Sequence, residues 1–276
     1  MKKITIGTCV YDDYDGVYFT LQSIRLCNPD ILDRIEFIII NNNPASCHGE
    51  EVSKLTQHIS EPITYLEFSK YNSPFLKGKI FDLAETEYVL VLDCHVLLEP
   101  GALKQLLDFY DAGKDEGNLL QGPLLHDDLT NISTHFDLSK WGSDMWGEWS
   151  FDKRGKDRDS EPFEIPAQGM GLFTCRRNSW LGFNKNFRGF GGEEGYIHCK
   201  YRNAGKKTLC LPFLRWLHRF SRPGGTKFTP LLQDRFRNYM IGFNEVGRNT
   251  NEVIKIFKEK IPNKFIDDVK KELGIT

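Results

Sequence analysis

The chain has 276 residues, 40% hydrophobic and 27% charged, which suits one large domain or a domain with an appendage. A formal net charge of −2 supplies no global basic field for nucleic acid or anionic lipid, although a local patch stays open. No stretch approaches the roughly 18–20 apolar residues of a bilayer span.

The elements follow in chain order. Residues 4–10 read as a first strand that breaks at the polar cluster Tyr11 to Gly16, and residues 18–27 carry helical spacing. The near-continuous apolar run at 35–40 predicts a strand buried on both faces, ending in the turn signal Asn41 to Pro44. A helix over 51–59, a strand over 63–68, a helix over 76–83 and a strand over 88–92 continue the alternation, which predicts an α/β fold with a mostly parallel sheet. A helix over 100–110 has proline in its first turn, and a short strand and loop occupy 118–123. Residues 126–166 read as a long irregular loop, with Trp141, Trp146 and Trp149 beside the charged run 152–159. Order returns at 167–174, and a helix opens at the glycines of 189–195 and runs to about 203. A late strand at 207–212 ends near Trp216 to His218, and two helices, 229–246 and 250–273, close the chain. Asn249, three residues before Glu252, resembles a capping box.

Seven cysteines stand at 9, 27, 47, 94, 175, 199 and 210 without a CxxC pair, so neither a zinc cluster nor a disulfide scaffold is suggested. Reduced thiols and a start without the apolar core of a signal peptide lead to the expectation of a cytoplasmic protein.

Asp93-Cys94-His95 directly follows the apolar strand 88–92. A strand ending in Asp-x-His sets a carboxylate and an imidazole at its carboxyl edge, where open α/β sheets bind ligands. Two such groups can hold a divalent cation suited to gripping a pyrophosphate. The plainer alternative is a strand end that carries a polar pair by chance.

Four segments, in order, resemble the GT-A glycosyltransferases, and most of all the polypeptide N-acetylgalactosaminyltransferases and family 2 relatives. They are the opening strand through Thr5 to Asp13, the Asp-x-His within Val91 to His95, the run Gly189-Phe-Gly-Gly-Glu-Glu194, and Leu217 to Phe220 followed by Pro223-Gly-Gly-Thr226. The resemblance covers residues 3–226 and implies a catalytic domain over 1–226 with a helical extension over 227–276 packed on it. No secretory anchor or lectin domain accompanies it, so a role in mucin glycosylation does not carry over.

The resemblance implies a Mn²⁺ or Mg²⁺ ion held by Asp93, His95 and His218, and a UDP-sugar donor. Tyr11 and Asp13 would touch base and ribose. Asn41 stands where many relatives carry an acid; it would bond uracil or ribose, or else belongs only to the turn before Pro44. Lys77 or Lys79 would reach a phosphate, the alternative being an exposed helix lysine. Gly169, within Gln168 to Gly171, would line the donor sugar. Arg219, Arg222 and the Pro223 loop would close over the diphosphate. Glu193 and Glu194 would bind donor sugar hydroxyls or act as base, or else cap the helix that they open. Relatives that retain configuration carry Asn where this chain has Glu194, so stereochemistry stays open, with the Asp-x-His and Pro-Gly-Gly matches leaning towards retention.

The three tryptophans, with Lys153, Arg154, Lys156 and Arg158, read either as a flap packed on the core or as an acceptor site for glycan, protein, lipid or hydroxymethylated DNA. A nucleotidyltransferase and a non-catalytic sugar-nucleotide-binding module are the alternative classes.

Overall fold

The computed structural model describes residues 2–70, 73–222, 225 and 227–275. Among these, the elements are β1 (Ile4–Val10), α1 (Tyr14–Cys27), β2 (Ile35–Asn41), α2 (Cys47–Gln57), β3 (Ile63–Glu67), α3 (Lys77–Leu83), β4 (Tyr88–Asp93), β5 (Val96–Leu98), α4 (Ala102–Asp111), β6 (Leu119–Gln121), β7 (Leu124–Leu125), β8 (Ile132–Ser133), β9 (His135–Gly142), β10 (Met145–Ser150), β11 (Phe163–Glu164), β12 (Leu172–Arg176), α5 (Glu193–Asn203), β13 (Thr208–Cys210), β14 (Trp216–His218), α6 (Leu232–Glu245), α7 (Thr250–Phe257) and α8 (Asn263–Leu273).

The main sheet runs β11-β13-β6-β12-β4-β1-β2-β3. Strands β4, β1, β2 and β3 are mutually parallel, as their alternation with helices predicts, whereas β12 enters antiparallel between β4 and β6. Being covered on both faces, β1, β2 and β4 are apolar almost throughout and almost wholly buried. One core layer holds Leu21, Ile24, Leu103 and Leu107 against one face. The other holds Ile80, Phe81, Tyr196 and the aromatic side chains of α6 and α7. Gly7 is the point of closest approach: a Cβ there would stand 2.2 Å from Ile80 of α3, so only glycine lets that helix settle on β1.

A smaller sheet, β5-β14-β7-β8, stands beside the first. It carries β14 antiparallel to β5, with His218 opposite Val96, one residue after His95. That register brings the second sequence-predicted imidazole, His218, to Asp93 and His95.

Two predicted regions differ from the structure. Residues 126–166 are not one irregular loop: β9 and β10 form an antiparallel hairpin. Its register shifts at Trp146 and Gly147, with Gly147 at φ 99°, and this bulge breaks the two-residue alternation by which a strand is recognised. The final helix is in fact two, α7 and α8, because Pro262 sits at the amino end of α8 and has no N–H to continue a helix. Asn249 does cap α7, its side chain accepting from the backbone N–H of Asn251. No described helix is long and apolar enough to cross a membrane.

Candidate active site

The carboxyl ends of β1 and β4 lie at the place where the chain, having laid β2 and β3 to one side, crosses to the other. Such a switch point leaves a crevice. Here it is a cavity of about 700 Å³ whose wall includes the residues after β1, β4 and β14 and the start of α5.

Asp93, His95 and His218 each point one ligand atom to a common spot, all within 4.8 Å of one another. His218 Nε2 is 3.4 Å from Asp93 Oδ2, and the Nε2 atoms of the two histidines are 3.1 Å apart. On its far side the His95 ring has Asp13: Nδ1 lies 3.0 Å from Asp13 Oδ2. A carboxylate there holds the proton on Nδ1 and leaves Nε2 as a lone-pair donor, which is how metal-binding histidines are usually set. Burial would raise the Asp13 carboxyl, but the His95 hydrogen bond and charge and the Arg219 guanidinium outweigh it and bring it to about 2. Two imidazole nitrogens converging beside a carboxylate fit a small divalent cation, and the oxygen–nitrogen donor set suits Mn²⁺ among others.

Asp93 has a second neighbour. Lys77, buried, sets its ammonium 2.6 Å from Asp93 Oδ1 and donates to the carbonyl of Met170 at 2.8 Å. Burial opposes the ionised form of Asp93, yet Lys77 and the two imidazoles hold its carboxyl well below the usual range. Of the two candidate lysines, Lys77 lines the cavity, whereas Lys79 stands over the Phe68 ring outside it. Lys79, two residues on and so about 200° round the helix, lies away from the buried face of α3 that bears Lys77.

Glu193 and Glu194 begin α5 behind two glycines, Gly191 and Gly192, with φ near 96° and 97°. Glycine takes that left-handed backbone without strain. The turn is held from the C-terminal helices, where the Asn238 amide donates to the carbonyls of Arg188 and Gly191 and its oxygen accepts from Arg188 N–H. Both acids are buried on the cavity wall. Desolvation and the neighbouring Glu194 push the Glu193 carboxyl up to about 8, and burial raises Glu194 as well. Glu193 Oε2 has no hydrogen-bond partner within the described protein atoms.

The remaining predictions divide. Tyr11, Asp13, Gly169, Arg219 and Arg222 line the cavity. Arg219 donates to Asp13 Oδ1 at 2.8 Å, and Arg222 Nη1 lies 2.6 Å from His95 Nε2. Asn41 does not line it: fully buried, its amide donates to Gly49 O and Tyr65 Oη, and its oxygen accepts from Asn43 N–H, so its role is to fix the turn after β2. Its neighbour Asn42 reaches the cavity instead. In the Pro223-Gly224-Gly225-Thr226 loop, Pro223, Gly224 and Thr226 lie outside the described residues. Phe136, Phe190 and Phe228 also line the cavity; Phe190 lay within the glycine–acid motif and Phe136 within the 126–166 segment, whereas no sequence signal marked Phe228.

The tryptophans separate into two roles. Trp141 packs on Tyr239, Phe243 and Phe257, and Trp146 on Phe243 and the Arg248 guanidinium. Trp149 packs edge-on against Phe136, and both face the cavity. The basic run beside them is engaged locally, Arg154 with Asp152, Arg158 with Glu99 and Lys156 over Phe151.

No protein-family description matches the chain, and no curated protein does. Solved structures do. GalNAc-T7, solved with UDP, GalNAc and Mn²⁺, superposes with a TM-score of 0.63 at 14% identity, over 98% of this chain and 57% of its own. The mannosyltransferase PcManGT of Pyrobaculum calidifontis, with GDP-Man and Mn²⁺, gives 0.57 at 12% identity over 99% of this chain and 74% of its own. TarS residues 1–349 of S. aureus give 0.51 at 12% identity, over 92% of this chain and 69% of the other. The chain therefore spans little more than half of the first of these, and at such identities the likeness is one of fold.

Proposed function

We propose that this chain, which has the GT-A fold, is a metal-dependent glycosyltransferase that moves a sugar from a UDP-sugar to an acceptor hydroxyl. The observation that carries the reading is the convergence of His95 and His218, 123 residues apart in sequence, with Asp93 on one spot that opens into the cavity. Asp93, His95 and His218 would hold Mn²⁺ or Mg²⁺, and that ion, when bound, neutralises the charge that grows on the departing diphosphate. GalNAc-T7 and PcManGT, each solved with Mn²⁺ and a nucleotide or nucleotide sugar, support the reading by fold.

The chain's own side chains do the rest. Asp13 fixes the His95 tautomer. Tyr11 and Asn42 flank the place for base and ribose, Gly169 leaves room for the donor sugar, and Arg219 and Arg222 supply guanidinium groups for the diphosphate. Glu193 and Glu194, whose carboxyls burial raises, stand on the cavity wall to donate hydrogen bonds to a donor sugar hydroxyl or to take the proton of an attacking one. Trp149 and Phe136 offer aromatic faces to the acceptor, for which a glycan is the better fit because Arg154 and Arg158 beside them are paired with carboxylates. We further infer a catalytic unit over 1–226 with 227–276 as an extension that locks the Gly189–Gly192 turn, and a cytoplasmic setting that suits seven free cysteines.

The test is product analysis with UDP-sugars, Mn²⁺ and a panel of glycan acceptors. Release of UDP that stops with chelator and in Asp93→Asn is expected. Pyrophosphate release would identify a nucleotidyltransferase, and tight binding without product a module that has lost turnover.

A further inference from the structure

His95 belongs to two donor sets at once. Besides Asp93 and His218, it stands with Asp13 and Cys94, which bring a carboxylate oxygen, a thiol sulfur and a ring nitrogen together. His95 Nδ1 lies 3.0 Å from Asp13 Oδ2 and 3.4 Å from Cys94 Sγ, and the sulfur is 3.8 Å from the same carboxylate oxygen. A tetrahedral zinc ion with ordinary bond lengths sets oxygen and nitrogen about 3.3 Å apart and sulfur about 3.5 Å from either. The three groups are thus already spaced for such an ion. The other Asp13 oxygen is occupied by Gly16 N–H and Arg219, and Oδ2 faces the sulfur, the ring and, at 3.8 Å, the Arg222 guanidinium. All three residues border the cavity, so an ion has a way in.

We propose that Asp13, Cys94 and His95 Nδ1 form a second cation site, selective for zinc-like ions over manganese and mutually exclusive with the Asp93–His95–His218 site; this rests on reading the latter as a metal site. Selectivity comes from the sulfur, since thiolate ligands favour zinc whereas manganese prefers oxygen donors. Exclusivity comes from the imidazole. A neutral ring has one N–H. When that proton sits on Nδ1, Nε2 is free to ligate beside His218. When zinc takes Nδ1, the thiol proton leaves to solvent, the ring proton resides on Nε2, and His95 is lost to the first site. Arg222, whose Nη1 lies 2.8 Å from Nδ1, swings aside as the ion enters. Zinc then holds the chain in a form unable to take manganese.

Two binding measurements on the full chain test this, neither of which depends on sugar transfer, so failure here is distinct from failure of the proposed activity. Titration with Co²⁺ as a spectroscopic substitute should give a thiolate-to-cobalt charge-transfer band in the wild type that is lost in both Cys94→Ala and Cys94→Ser, their folding checked by thermal melts. A wild type without the band, or variants that keep it, overturns the site. In the second, Mn²⁺ binding is followed by its free-ion electron paramagnetic resonance signal. Zinc should release Mn²⁺ from the wild type at about tenfold lower concentration than from either Cys94 variant, the scale on which losing one well-placed partner weakens a metal site. Equal zinc sensitivity overturns the exclusivity.

Discussion

Lys77 shows how one side chain serves stability and chemistry together. Its ammonium is buried and finds its charge partner in Asp93 and a neutral acceptor in Met170 O. Removing one member of a buried pair leaves the other charge uncompensated, which costs about 3–5 kcal/mol. Lys77→Met should therefore lower the melting temperature of metal-free protein, and added Mn²⁺ should recover more stability than it adds to wild type, because it supplies Asp93 with a replacement cation. A variant that melts like wild type would show that the pair is not formed in solution. Glu193 gives the opposite sign of electrostatics. Its carboxyl, near 4.5 when unfolded, rises to about 8 in the fold through burial and Glu194, so the native chain binds a proton that the unfolded chain releases. That stabilisation is complete below about pH 4.5 and is lost as pH climbs towards 8. Glu193→Gln should flatten this decline, so that the variant gains stability on wild type as pH goes from 5 to 8, read by denaturant midpoints in chelator. Parallel pH curves would remove the buried-acid assignment.

At the scale of elements, the β9–β10 hairpin joins core and cavity. Trp141 and Trp146 face α6 and α7, while Trp149 faces the opening. The bulge at Gly147 turns the hairpin so that its two ends serve different surfaces; a Cβ at that residue would stand 2.8 Å from Phe136 Cβ, the residue that supports Trp149. Trp146→Ala, which empties a buried site, should cost about 3–5 kcal/mol in stability with KM for acceptor little changed. Trp149→Ala should cost less and raise that KM several-fold. Steady-state kinetics beside urea unfolding separates the two, and the reverse pattern would assign the acceptor wall elsewhere. The α5 start is the other junction: Asn238 on α6 fixes the turn that presents both acids, so the C-terminal helices shape the site without entering it.

Over the whole molecule, binding at the crevice draws on both sheets, since Asp93 ends β4 of the main sheet and His218 ends β14 of the smaller one. A ligand that bridges them should stabilise the entire fold. UDP with Mn²⁺ at about a hundred times Kd contributes about 2.7 kcal/mol, which for a domain of this size raises Tm by about 5–10 °C. The rise should vanish with chelator and shrink strongly in His218→Ala; a rise that survives chelation would place nucleotide binding outside the metal's reach.

Local residues alone declared the alternating strands and helices, because a strand buried on both faces must be apolar throughout and a helix on a sheet must carry a periodic stripe. They also declared Asp93 and His95, two residues apart at a strand end, and the glycines and acids that open α5. What they left undecided depended on contacts between distant segments. The pairing of β14 with β5 alone brings His218 to His95; the packed face of α3 alone separates Lys77 from Lys79; the bulge at Gly147 hides a hairpin by breaking its alternation. Asn41 and Asn42 are adjacent and chemically identical, and only the end of β2 between them sends one inward and the other, in the bend that follows, to the cavity. Chemistry that resides in a single segment is written along the chain, while chemistry assembled from several exists only once burial has fixed which faces meet.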